Sequence, residues 1–343
     1  MTQRDRPRRH GTSARRTTSA SVAPLAASST RHLLGLEGLD AAAVRSFLSL
    51  ARSYESARSV KPLLAGRVVA NLFFEDSTRT RTSFSVATHR LGGHAIDLMG
   101  AGSSVNKGET LIDTATNVEA MGVAALVVRA RQSGVASLIA RTVRCPVINA
   151  GDGRHEHPTQ GLLDAYAFAA AMGRSRDFDL SGLRVAIVGD IVSSRVARST
   201  IFALRALGAG VVCVGPPSMA PESLRSLRVD VGRDLDAVLP TVDAALMLRI
   251  QFERSEAAAG AKGEALVVKA PGLASVREYR TLYALTQERA DRMQAHAVVM
   301  HPGPINRGIE LDAAVADGPR SIILRQVAAG VLVRMAVIAR LCG

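Results

Sequence analysis

Residues 67–84, RVVANLFFEDSTRTRTSF, run an apolar, β-branched and aromatic segment into a polar one that opens with Ser77. A strand buried on both faces needs such a near-continuous apolar run, broken here only by Asn71, whereas a strand with one wet face would alternate. Further on, Phe84, Ala87 and Leu91 recur at three-to-four spacing, the period of an amphipathic helix. Ser77 is a residue type whose hydroxyl accepts from the free amides of a first helical turn. The stretch therefore predicts a buried strand ending at Phe74, a short connection, and a helix starting near Ser77 with Ser77 as its cap.

Outward from it the same alternation continues. AALVVRA and CPVINAG follow in the first half, then LRVAIVGD, GVVCVG, AALMLRI and HAVVMHPGP, with helical segments such as the one carrying Leu162, Tyr166 and Ala169 between them. Alternating buried strands and helices specify an α/β chain with parallel sheets. At 343 residues the chain exceeds the usual size of one core. The expected fold is two doubly wound domains, each a parallel sheet flanked by helices. Gly, Ser and charges in AMGRSRDFDLSGL, residues 171–183, place the break between a helix ending near Met172 and a strand beginning at Leu183. The first domain is expected over 31–172 and the second over 173–319. The last helix, within 320–343 (ILRQVAAGVLVRMAVIARL), is apolar around much of its surface and should pack back across the first domain.

Composition narrows the function. No apolar run approaches the roughly 18–20 residues a membrane helix requires, so no membrane association is expected. Cys145, Cys213 and Cys342 stand far apart, which argues against a disulfide framework or zinc site and fits a cytoplasmic chain. The formal charge of +13 looks at first like a nucleic-acid footprint, yet seven Arg against one Asp in the first 31 residues supply +6 of it. That stretch lacks the apolar core of a secretory signal, and residues 1–30 read as a disordered basic tail. The remaining basic residues are mixed with acids and lack interleaved aromatics. Anionic small molecules are therefore the expected partners, not nucleic acid. GDIVSSR places only Gly189 in its turn and fails the dinucleotide glycine pattern, so no cofactor and no metal is expected.

Two segments carry chemistry. At the helix start after FFED, free backbone amides joined by the hydroxyls of Ser77, Thr78 and Thr80 and the Arg79 guanidinium suit a tetrahedral dianion. GDGRHEHPTQGLLD, residues 151–164, puts His157 and Gln160 at the opening of another helix after a strand. His157 can donate to a carbonyl oxygen, and Gln160 can accept from an amide. Arg129, at the end of a strand, offers a forked donor at the same edge.

STRTR followed downstream by HPTQ resembles the aspartate and ornithine carbamoyltransferase family, and the resemblance spans about Arg31 to Cys342. It implies that Ser77, Thr78, Arg79 and Thr80 hold the phosphate of carbamoyl phosphate, while Arg79, Thr80, Arg129, His157 and Gln160 surround its carbonyl. Lys107, in SSVNKGET, matches the lysine the family sends into a neighbouring subunit's site, which implies a homotrimer with shared active sites. Arg195 matches the arginine that grips the aspartate α-carboxylate. Arg249 and Gln251, in LRIQFER, resemble the pair that reads its side-chain carboxylate, a pairing ornithine enzymes lack. HPGPINRG resembles the turn whose Gly303 and Pro304 carbonyls accept from the carbamoyl nitrogen and the incoming amine. One departure stands out: many aspartate enzymes follow the first-domain arginine with histidine, and here Ala130 follows Arg129. The expected reaction is carbamoyl transfer to L-aspartate in pyrimidine biosynthesis. A different amino acceptor and a non-catalytic scaffold for a dihydroorotase are the alternatives, and a regulatory chain or dihydroorotase partner is left open.

Overall fold

The computed structural model describes residues 31–99, 109–250 and 275–343. After helix α1 (Ala41–Ser56), capped by Asp40 accepting from Ala43 N at 2.8 Å, the chain alternates strand and helix. It runs β1 (Val68–Phe73), α2 (Thr78–Arg90), β2 (His94–Met99), α3 (Leu111–Ala120), β3 (Ala125–Ala130), α4 (Val135–Ala140), β4 (Val147–Asp152) and α5 (Pro158–Ala171). The four strands form one parallel sheet in the order β2-β1-β3-β4.

A second parallel sheet, ordered β7-β6-β5-β8-β9, follows. Its elements are β5 (Arg184–Val188), α6 (Arg195–Ala206), β6 (Gly210–Val214), β7 (Asp230–Gly232), α7 (Leu235–Val238), β8 (Ala244–Met247), α8 (Val276–Tyr283), α9 (Gln287–Asp291), β9 (Val298–Met300) and α10 (Ala313–Ala316). The C-terminal α11 (Ile323–Cys342) returns to pack on α1, α2 and α5, as its all-round apolar surface requires.

Alternation along the strands explains their unbroken hydrophobicity. Val69, Phe73 and Val127 of the first sheet, with Val185 and Ile187 of the second, enter a core layer shared with α1, α5, α6 and α11. Ala70, Leu72, Leu126 and Val128 point into a core on the other face of the first sheet, and Ala186, Val188, Ala245 and Met247 into one on the far face of the second. Within the shared layer α5 and α6 pack together, and Gly161 is what permits it: a Cβ there would stand 2.5 Å from the Ser199 carbonyl oxygen.

Two strands escaped sequence reading. β2 is an edge strand with a largely exposed pattern and carries His94 and Asp97, and β7 is three residues long. β1 ends at Phe73, one residue before the expected end, and β4 ends at Asp152, one residue beyond the CPVINAG segment read as a strand.

Candidate active site

In the first sheet the strand order reverses between β1 and β3; in the second it reverses between β5 and β8. Crevices beyond the carboxyl ends of strands at such switch points are where open α/β sheets hold ligands. Phe73 pairs with Arg129 across β1 and β3, and Phe74 N donates to the Arg129 carbonyl at 2.9 Å, so the two chains part there. Val188 pairs with Met247, and Leu248 N donates to the Val188 carbonyl at 2.8 Å, so β5 and β8 part in the same way. Arg79 follows β1, Arg129 is the penultimate residue of β3, Arg195 opens the helix after β5, and Arg249 follows β8. All four line one cleft of about 800 Å³.

Ser77, Thr78, Thr80, His157, Gln160, Gly303 and Pro304 line it too, so the structure brings together the predicted site residues it describes. Lys107 and Gln251 lie outside the described residues. Seven arginines line the cleft against Glu75 and Asp76, a strongly cationic balance.

One expectation fails at the first helix start. Ser77 occupies the N-cap position of α2 but its hydroxyl makes no cap hydrogen bond, and His157 at the N-cap of α5 makes none either. By contrast Ser194 caps α6 by accepting from Ala197 N at 3.1 Å, and Thr110 with Asp113 forms a capping box on α3. Of the helix starts that line the cleft, those of α2 and α5 thus have no side-chain cap on their first-turn amides, whereas that of α6 has one.

The charged groups are held by a few contacts. Glu75 Oε2 accepts from Arg195 Nη2 at 2.7 Å and lies 3.7 Å from Arg129 Nε, tying the first sheet's loop to the second sheet's helix. Arg129 Nη1 donates to the Ala150 carbonyl at 3.0 Å, and Arg249 Nε to Asn306 Oδ1 at 3.4 Å. Gly151, at φ 115°, lets two guanidinia pass: an added Cβ would stand 3.0 Å from Arg195 Nε and 3.1 Å from Arg129 Nη1. Gly303 is pressed more closely still against the Arg79 guanidinium. Partial desolvation, then the like charge of Arg249, holds the Arg79 pKa below its usual value. Burial first, and then Arg129, Arg334 and Arg195, push His157 well below the ordinary histidine value, so its ring is neutral and can donate one hydrogen bond.

Sequence reading missed the supporting groups. His301 Nδ1 accepts from Gly303 N at 2.7 Å, its Nε2 lies 3.2 Å from buried Glu310, and Glu310 also accepts from Asn306 N at 2.6 Å. Asn306 Nδ2 in turn donates to the Ile250 carbonyl at 3.0 Å, bracing the strand end that carries Arg249. Arg334, buried on α11 with its guanidinium 5.1 Å over the Phe84 ring, lines the cleft from the C-terminal helix. Its burial was expected of the helix; its placement at the site had no local signal.

Comparison with known proteins identifies the family. Residues 31–170 match the family model described as aspartate/ornithine carbamoyltransferase, carbamoyl-P binding domain, and residues 181–341 match the one described as the Asp/Orn binding domain of the same family. The chain belongs to the aspartate/ornithine carbamoyltransferase family. Among relatives, it is 52% identical to the aspartate carbamoyltransferase catalytic subunit of Myxococcus xanthus, over 90% of this chain and 98% of that one. It is 48% identical to the catalytic subunit of the same name from Frankia casuarinae, over 91% and 94%. Among solved structures, ornithine carbamoyltransferase from Thermus thermophilus superposes with a TM-score of 0.78 at 25% identity, over 92% and 99% of the two chains. Aspartate transcarbamoylase from Trypanosoma cruzi, in complex with N-(phosphonacetyl)-L-aspartic acid, does so at 0.77 and 28% identity, over 91% and 96%. In this carbamoyltransferase the departure after Arg129 is carried by backbone: the buried Ala130 carbonyl accepts from Gly153 N at 3.0 Å and Arg195 Nη1 at 3.4 Å.

Proposed function

We propose that the cleft transfers the carbamoyl group of carbamoyl phosphate to the α-amino group of L-aspartate, giving N-carbamoyl-L-aspartate and phosphate, an early step of pyrimidine synthesis. The observation that carries this reading is the convergence of Arg79, Arg129, Arg195 and Arg249 from the strand ends beside both switch points onto one cleft. Carbamoyl phosphate and aspartate are both anions at neutral pH. Two unit charges ~4 Å apart repel by about 4 kcal/mol in a partly solvated protein setting, so both can be held together only among several cations.

In this reading the chain divides near residues 171–183. Ser77 to Thr80 in the first part bind the phosphate at the uncapped start of α2, and Arg195, Arg249 and Gln251 bind the two carboxylates of aspartate. The aspartate amine attacks the carbonyl carbon, and Arg79, Thr80, Arg129 and neutral His157 stabilise the oxyanion. The bond from that carbon to the phosphate oxygen then breaks, and the leaving phosphate takes the amine's proton. Gln160 and the carbonyls of Gly303 and Pro304 accept from the carbamoyl nitrogen. Lys107 enters from a neighbouring copy, which makes the working form a homotrimer, and the enzyme acts in the cytoplasm.

Ornithine would bring an ammonium toward Arg249, a like-charge contact that disfavours it as acceptor. The test is product formation from carbamoyl phosphate with aspartate or with ornithine. Turnover with aspartate alone supports the proposal; turnover with ornithine alone, or with neither, overturns it.

A further inference from the structure

Gln160, which lines the cleft, belongs to a buried polar cluster whose other side chains have no role in the chemistry just described. Asp164, one helical turn after Gln160 on α5, is fully buried and accepts three hydrogen bonds. Its Oδ1 accepts from Gln160 Nε2 at 2.9 Å and from Gln326 Nε2 of α11 at 2.8 Å, and its Oδ2 accepts from the Thr200 hydroxyl of α6 at 2.8 Å. Gln326 Oε1 accepts from the backbone N of His301 at 3.0 Å, at the head of the turn that carries Gly303 and Pro304. Every donor and acceptor in this chain of contacts has a defined direction.

An amide side chain is nearly symmetric in shape, and nothing in Gln160 itself decides whether it shows a ligand its oxygen or its NH₂ group. An ionised carboxylate only accepts. Against Asp164 the Gln160 NH₂ must turn inward, which leaves Oε1 as the group available on the cleft side. The Asp164 carboxyl, raised to about 6 by burial against the opposing pull of its three hydrogen bonds and Arg334, is ionised above that pH. The same carboxylate orients Gln326, whose own oxygen anchors the turn through His301.

We propose that Asp164 and Gln326 are positioning residues that fix Gln160 as an acceptor and yoke it to the 301–304 turn, so that acceptors on both sides meet an NH₂ group on the substrate. The relay selects a carbamoyl group over an acyl group of the same shape, because a methyl in the amino position leaves buried acceptors unmatched. It rests on the carbamoyl phosphate reading of the cleft.

The test is equilibrium binding of carbamoyl phosphate, acetyl phosphate and inorganic phosphate to the full-length protein and to Asp164→Asn and Gln326→Met. The wild type is expected to prefer carbamoyl over acetyl phosphate. Each variant should cut that preference by about five- to tenfold, while the Kd for inorganic phosphate, which lacks the amide, stays within about twofold. Gln326→Met conserves volume and carries the test should Asp164→Asn fail to fold. A preference retained by a folded variant overturns the relay alone, as does a parallel loss for inorganic phosphate, which would mark a merely structural role. A wild type with no preference for carbamoyl phosphate overturns both the relay and the reading of the cleft.

Discussion

Arg79 projects from an uncapped helix start against Gly303, with Arg249 near enough to disturb its charge. A residue placed this way contributes to binding and to charge stabilisation, and little to packing. Arg79→Ala should lower kcat/KM by about two to three orders of magnitude, with a melting temperature within a few degrees of wild type; steady-state assays beside calorimetry would check both. His157 makes a second statement at this scale, through linkage. In the unfolded chain it takes up a proton as pH falls through 6.5, whereas burial and three arginines keep the folded ring neutral well below that value. The unfolded state therefore binds more protons in this window, so stability is present above pH 6.5 and is lost as pH falls toward the folded value. His157→Gln removes this contribution, and its stability should fall less steeply on acidification, by up to roughly 1.4 kcal/mol per pH unit. Parallel slopes for the two proteins in urea melts between pH 7 and 5 would contradict the neutral assignment.

At the scale of elements, α5 does more than carry His157 and Gln160. It is buried around nearly its whole surface and packs on both α6 and α11. Gly161 sets the distance to α6. Gly161→Ala would force the two helices apart, at a cost of about 1–3 kcal/mol in chemical denaturation, and would shift Gln160 with them. An Ala variant as stable as wild type would show that the helices separate freely. The buried Glu156 beside it accepts from Leu36 N at 2.8 Å and from the Ser199 hydroxyl at 2.7 Å, while Ser199 Oγ accepts from His157 N at 2.9 Å. The entry of α5 is thereby pinned both to α6 and to the segment preceding α1.

For the whole molecule, two sheets each turn a switch point toward the same cleft, and Glu75 with Arg195 bridges them directly. α11 closes the arrangement by packing on the first unit while Gln326 holds the 301–304 turn that follows β9 of the second. If the site is shared between copies, two individually inactive variants should complement each other. A Lys107→Ala protein and a His157→Ala protein, dissociated and reassembled at equal ratio, should regain roughly a quarter of wild-type activity, because only sites pairing an intact His157 with a neighbour's intact Lys107 are whole. No recovery, with mixed oligomers demonstrated, would place Lys107 outside the neighbour's site.

The sequence by itself determined the fold class, because a strand covered on both faces has to be apolar along most of its length, and RVVANLFF, AALVVRA and LRVAIVGD are, with Asn71 the polar residue within the first. Arg79, Arg129 and the His157–Gln160 helix start were legible from the strand and helix pattern, whereas Arg195 and Arg249 were read only through the family resemblance. β2 was not legible, because an exposed edge strand has no burial pattern to show. Asp164 left a faint trace, four residues after Gln160 in QGLLD, a spacing at which Gln and Asp meet on a helix. Gln326, 162 residues from its partner Asp164, and Glu75, 120 from Arg195, left none. Their roles were decided only in the tertiary structure, where packing α11 and α6 beside α5 brings into hydrogen-bond reach groups whose separation along the chain carries no local signal.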